Sequence, residues 1–129
     1  MTGGGNFGDL WRSHQEFMLR IAETYPENRI VMLPQSVWYE NEQTMLEDAA
    51  QLGRHRDLTI CARDNQSYGI LNRHFSNNIL LLPDMAFCID DADLTSAGKP
   101  DPGRTLWLFR DDKELSGQKH DGLIPAGAE

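Results

Sequence analysis

The sequence predicts an α/β fold of the Rossmann-like kind, a parallel sheet flanked by helices, and three observations carry that expectation. Short continuous apolar runs, IVML at 30–33, LTICA at 58–62 and ILLL at 79–82, have the form of strands buried on both faces. Between them lie stretches whose apolar residues recur at three- and four-residue spacing. The connections are a few residues long, so strand and helix alternate as they do where crossover helices cover a parallel sheet.

Taken in order, the chain opens with Gly3-Gly4-Gly5-Asn6-Phe7-Gly8-Asp9, a glycine loop, and Asp9 is placed to cap the helix that follows. That helix spans 10–25, with Leu10, His14, Phe17, Met18, Ile21, Ala22 and Tyr25 on one face and Pro26 as its stop. The strand at 30–33 ends in the loop Pro34-Gln35-Ser36. A second helix begins near Asn41, turns Met45, Leu46, Ala49, Ala50 and Leu52 inward, and closes at Gly53. After the strand at 58–62 come Arg63 and Asp64, then a third helix over 66–75 with Tyr68, Leu71 and Phe75 inward. The strand at 79–82 ends in Pro83-Asp84. Residues 90–104 read as a loop or linker, 105–109 as a last strand, and 111–129 as a frayed polar terminus.

Composition narrows the function classes. A chain of 129 residues, 40% hydrophobic and 25% charged, is sized for one domain with a real core. A net charge of −8 argues against a nucleic-acid surface, which needs clustered cations. Nine of the twelve basic residues are Arg, whose planar fork suits carboxylate or phosphate, so a local site for a small anion is compatible with the overall charge. No run reaches the roughly 18 apolar residues of a membrane span and no secretory leader is evident, which makes a cytoplasmic setting the default. Cys61 and Cys88 both sit in apolar stretches and are expected as buried free thiols; no zinc spacing is present.

In open α/β sheets ligands bind beyond the carboxyl ends of the strands. Gln35 and Ser36, Arg63 and Asp64, Asp84 and Arg110 each follow an apolar run, so one sheet edge collects them, and the glycine loop is expected to join it. A glycine loop feeding a helix N-terminus suits an anion, and it equally suits a tight turn that packs the helix on the sheet. A strand would normally feed such a loop, and only Met1 and Thr2 precede it.

Five segments in this order, GGGNFGDLW, IVMLPQS, ARDNQSYGIL, NNILLLPDMAF and LWLFRDDKE, resemble the polysaccharide pyruvyl transferase family over most of the chain. The resemblance implies one half of a two-domain, B-type glycosyltransferase-like architecture: residues 1–110 as the Rossmann-like domain without its first strand, and 111–129 as the start of a second domain. It further implies transfer of the pyruvyl group of phosphoenolpyruvate to a sugar of a cell-surface polysaccharide or its precursor, forming a ketal. Phosphoenolpyruvate is then a donor substrate and the glycan an acceptor, with no cofactor, metal, nucleic acid or transmembrane segment. An unpaired sheet edge would favour association with a complementary chain or domain.

Such chemistry needs acids, bases and guanidinium groups together. Asp9 is the candidate base, or merely the helix cap, and His14, beside Gln15 in the family-like stretch, is the candidate proton carrier, or a packing residue. Gly4, Gly5, Asn6 and Gly8 would bind substrate through the loop. Arg63 is the candidate anion ligand, against a salt bridge to Asp64. Ser67 caps the third helix or touches the ligand, and Asp84, Gln35, Ser36 and Asp64 bind sugar hydroxyls or serve their turns. Trp11 and Trp38 stack on a sugar ring or pack; Arg110, Asp112 and Glu114 resemble the family's entry to its second domain. A nucleotide-sugar glycosyltransferase, or a catalytically silent fragment or binding module, would present the same sheet edge.

Overall fold

The computed structural model describes residues 4–90; the expected linker beyond Asp90, the strand at 105–109, Arg110, Asp112, Glu114 and the polar tail lie outside them. The elements are β1 (Gly4–Gly8), α1 (Arg12–Thr24), β2 (Ile30–Trp38), α2 (Glu42–Leu52), β3 (Leu58–Ala62), α3 (Asn65–His74), β4 (Asn78–Leu81) and a 3-10 turn at Met85–Cys88. All four strands are parallel, in the spatial order β1-β2-β3-β4. In this sequential order each of the three helices connects two neighbouring strands. Phe7, Met18, Met32, Met45, Leu52, Ile60 and Leu71 form the centre of the shared core.

Two local expectations are corrected, both concerning strands. The glycine segment is no loop: Gly4–Gly8 is itself the edge strand β1, paired with the second half of β2. Pro34 does not end β2, which runs on to Trp38. A proline lacks the N–H a central ladder needs and is accommodated at an irregularity. The β2–β3 register shifts between Met32 and Gln35, and Pro34 falls within that shift. Gln35 and Ser36 therefore belong to the strand.

The phase of α1 is also different. Its buried residues are Gln15, Met18, Leu19 and Ala22, while Phe17 and Tyr25 are exposed. Gln15, placed beside His14 by the sequence, takes the inward position and leaves His14 outside. In α2 the buried set is Met45, Asp48, Ala49 and Leu52, with Leu46 exposed. Cys61 is buried as expected, but Cys88 lies exposed on the 3-10 turn. On the strands, Val31, Leu33 and Leu80 present exposed apolar side chains.

The register gives the carboxyl edge two levels. Ala62, the last residue of β3, pairs with Gln35, whereas β1 pairs with β2 as far as Trp38 opposite Gly8. At roughly 3.3 Å per residue, the β1–β2 pair overhangs β3 by about 10 Å.

Candidate active site

The lower level, at the ends of β3 and β4, is a closed polar cluster. Asp64 caps α3: its Oδ1 accepts the Ser67 N–H at 2.8 Å, and its Oδ2 accepts the hydroxyls of Ser36 at 2.7 Å and Ser67 at 3.0 Å. The expected capping role of Ser67 thus falls to Asp64, and the buried Ser67 hydroxyl instead accepts the Val37 N–H at 2.9 Å, tying α3 to β2. Arg63 donates from Nε to Ser36 Oγ at 2.8 Å and from Nη1 to Asp84 Oδ2 at 2.7 Å. Its ion pair is with Asp84 and not with the adjacent Asp64. Asp84 Oδ1 in turn accepts the Ala86 N–H and starts the 3-10 turn.

Electrostatics follow from these contacts. Burial works against the Asp64 charge, but the Ser67 N–H, the Ser36 and Ser67 hydroxyls and the Arg63 cation outweigh it, holding this carboxyl below its ordinary pKa. The Ala86 N–H first, and then the Arg63 guanidinium, do the same for Asp84. One cation thus sits between two ionised carboxylates. Arg63, expected as the anion ligand, is already engaged.

Gln35 stands between the two levels, paired in register with Gly4 and Ala62. It is 1% exposed, and among the described residues neither its Nε2 nor its Oε1 has a hydrogen-bond partner. An unpaired buried carboxamide costs roughly 1–3 kcal/mol, so this group calls for a reason beyond folding.

The upper level is organised by Asp9. Rather than capping α1, whose first turn has no side-chain cap, Asp9 reaches across to the β2–α2 turn. Its Oδ2 accepts the backbone N–H groups of Glu40 and Asn41, both at 2.9 Å. Asn41 then caps α2 by accepting the Thr44 N–H. Oδ1 of Asp9 has no hydrogen bond among the described residues. Asp9, Leu10, Trp38, Glu40, Asn41, Glu42 and Gln43 line an open cleft of 690 Å³ here.

Gly8 makes this level possible. It has φ of +120°, and a Cβ on it would lie 1.8 Å from the Trp38 carbonyl oxygen. The Asp9 N–H donates to that same oxygen at 3.1 Å. The Gly8 N–H donates to Oε1 of buried Gln15 at 3.2 Å, Gln15 Nε2 donates to Tyr39 Oη at 3.2 Å, and the Tyr39 hydroxyl donates to Asp48 Oδ2 at 2.8 Å. Arg12 Nη1 completes the chain on that oxygen at 2.7 Å. Burial, then the Asp48 charge and hydrogen bond, raise the Tyr39 phenol far above its usual range and keep it a donor. These groups fix the end of β1 from beneath.

The structure therefore brings Ser36, Arg63, Asp64, Ser67 and Asp84 into one bonded cluster, and Asp9 and Gly8 to a second place on the overhang. Asn6 is half-buried within β1, as is Gly5, and Gly4 pairs with Gln35. His14 is exposed on α1, edge-on to Trp11 with ring centroids 6.1 Å apart, and does not line the cleft. Sequence reasoning missed Arg12, Tyr39 and Asp48. A signal for Asp48 was present: it lies three residues after Met45 and four before Leu52, on the apolar stripe of α2, where a carboxylate needs a buried partner. The partners themselves are remote in sequence and carry no such mark.

Comparison with known proteins agrees with the segments quoted above. The family model for polysaccharide pyruvyl transferase matches residues 1–122. The chain is 44% identical over 85 residues to "Putative pyruvyl transferase EpsO" of Bacillus subtilis (strain 168), covering 65% of this chain and 26% of that protein. It is 39% identical over 121 residues to "Pyruvyl transferase 1" of Schizosaccharomyces pombe, covering 92% and 30%. It is 30% identical over 121 residues to "General stress protein 30" of B. subtilis, covering 88% and 33%. The chain spans about a quarter to a third of the length of these relatives. With its parallel α/β sheet, its glycine-containing first strand and these matches, the chain belongs to the polysaccharide pyruvyl transferase family.

Proposed function

We propose that this protein takes part in pyruvyl transfer from phosphoenolpyruvate to two hydroxyls of a glycan, giving a ketal and inorganic phosphate. The step balances as follows. One hydroxyl proton ends on the methylene carbon of the donor, which becomes the ketal methyl, and the other ends on the departing phosphate. Two C–O bonds to the sugar form at the carbon that loses its bond to the phosphate oxygen. The reaction therefore needs a base at the hydroxyls, a proton at the methylene and cations at the phosphate.

The observation that carries the reading is Asp9. Two backbone N–H groups hold one of its oxygens, no hydrogen bond among the described residues engages the other, and Asp9 lines an open cleft, which suits a positioned base for an acceptor hydroxyl. His14 stands apart from this cleft and would serve as proton carrier only to a substrate lying over the start of α1. Arg63 remains the candidate for donor phosphate or carboxylate through its Nη2, in competition with Asp84, whose side chain is 34% exposed. Gln35 Nε2 and Oε1 are further groups without a partner among the described residues.

Asp9→Asn is the test. Asparagine Oδ1 still accepts the Glu40 and Asn41 N–H groups, so the turn is kept while the base is removed. Acceptor-dependent phosphate release from phosphoenolpyruvate should fall by roughly a hundredfold or more with the urea midpoint little changed. Release within a factor of about three of wild type removes Asp9 from the chemistry.

A further inference from the structure

Among the described strands β1 and β4 are the two edges of the sheet, and they differ in character. β1 is rich in glycine, whereas β4 is apolar: Ile79, Leu80 and Leu81 are followed by Leu82, and residues 76–83 carry no ionisable side chain. Natural sheets blunt such edges with charge or proline, and here Pro83 does so just past the strand. The Leu82 N–H donates to the Ala62 carbonyl at 2.9 Å, so by the alternation of an extended chain Leu80 and Leu82 turn their backbone groups toward β3. Ile79 and Leu81 turn theirs outward, where no described strand pairs with them. Leu80, Leu81 and Leu82 are exposed, as are Met85, Phe87 and Ile89 immediately beyond.

We propose that β4 is an association edge, at which two copies of this chain join antiparallel about a dyad at Leu80. The outward backbone groups are self-complementary in that arrangement. Ile79 of one copy and Leu81 of the other exchange two N–H···O bonds, the dyad repeats the exchange, and the two Leu80 residues meet as the non-hydrogen-bonded pair with Cα atoms about 4.5 Å apart. Charge suits a second copy at this strip: each chain carries −8, and a segment without ionisable groups is where two like-charged chains approach with least repulsion. The six exposed apolar residues offer on the order of 600 Å² per copy, so two copies reach at most about 1,200 Å², the lower end of specific interfaces, which fits a weak dimer of micromolar affinity. Pro83 has no N–H and ends the ladder, so the Arg63–Asp84 pair stays outside it.

The test is sedimentation of the full chain from about 5 μM to about 1 mM, over which wild type should pass from monomer to dimer. Leu80→Lys sets two cations against each other on the dyad, Leu80→Glu sets two anions there, and each should weaken the dimer about tenfold or more. An equal mixture of the two variants should associate at least about fivefold more tightly than either alone, because opposite charges then meet. Phe17→Lys, at a comparably exposed apolar position on α1, should leave the dimer unchanged. An edge strand tolerates Lys, so the variants should keep the wild-type amide spectrum. Wild type alone supplies a second readout: the Ile79 and Leu81 amide protons should exchange more slowly at high concentration, while that of Leu80, turned to β3, should not change. A wild type that stays monomeric to about 1 mM, that grows beyond a dimer, or whose Ile79 and Leu81 exchange ignores concentration overturns the proposal. So does equal dimerisation of Leu80→Lys, or a mixture no tighter than its parts.

Discussion

Gly8→Ala tests whether the end of β1 is held as described. The added Cβ would meet the Trp38 carbonyl oxygen at 1.8 Å and its carbon at 2.7 Å, both backbone atoms that no side-chain rotation can move aside. Holding alanine at φ of +120° costs roughly 1–3 kcal/mol on its own. Relieving the overlap pulls β1 from β2 and gives up the Asp9-to-Trp38 and Gly8-to-Gln15 hydrogen bonds, each worth about 1 kcal/mol. The sum is about 3–5 kcal/mol, a large fraction of the stability of a small domain. With a urea slope of roughly 1.3 kcal/mol/M, the midpoint should fall by about 2–4 M, or folding should fail. Gly69→Ala is the control, since that glycine is helical, exposed and has nothing within 4 Å of a new Cβ. It should raise stability by about 0.5–1 kcal/mol. A Gly8→Ala midpoint within about 0.5 M of wild type would refute the argument, because the chain would then tolerate a side chain where the backbones meet.

Three further outcomes follow from the same contacts. Asp48→Ala leaves the half-buried Tyr39 hydroxyl without its acceptor and Arg12 with Glu16 alone among the described residues, and should cost about 2–4 kcal/mol in urea unfolding; a loss under 1 kcal/mol would mean that the network bears no weight. Asp64 has a folded pKa below its unfolded value of about 3.9, so the stability it adds is full above that value and is lost as pH falls through the folded one. The urea midpoints of wild type and Asp64→Asn should accordingly differ by a constant amount from about pH 5 upward and converge in stronger acid, and a gap that widens in acid contradicts the sign. Gln35→Met keeps the volume and deletes the unpaired amide, so it should stabilise the protein by about 1–2 kcal/mol while weakening substrate binding if the amide serves there. Destabilisation would show that Gln35 has a structural partner.

The fold was legible where the signal is local. Apolar runs located β3 and β4 to within a residue and the start of β2 but not its end, and Asn41 and Gly53 bounded α2 as capping chemistry requires. β1 was not legible, because Gly-Gly-Asn-Phe-Gly has almost no strand propensity: it extends only because β2 offers it a free edge, a tertiary effect that overrides local preference. The same holds for Pro34, which reads as a stop until the register shift that shelters it is known. Arg63 and Asp84 were legible as strand-end polar residues and Asp9 as a candidate in the glycine segment, but their partners were not, since Glu40 and Asn41 lie 31 and 32 residues from Asp9 and Asp84 lies 21 from Arg63.

The charges at the edge argue for a division of labour among its residues. A strand-end arginine in isolation invites an anion, yet Arg63 is flanked by Asp84, and Asp64 draws on the same Ser36 hydroxyl, so the cluster carries two negative charges against one positive. A polyanionic ligand approaching it must displace Asp84 or be met by other cations. The overhang, with Asp9, Glu40 and Glu42, is more acidic still. Both levels therefore accept hydrogen bonds from hydroxyls more readily than they hold phosphate, and under the proposed reading Arg63 takes the donor only where that ligand displaces Asp84.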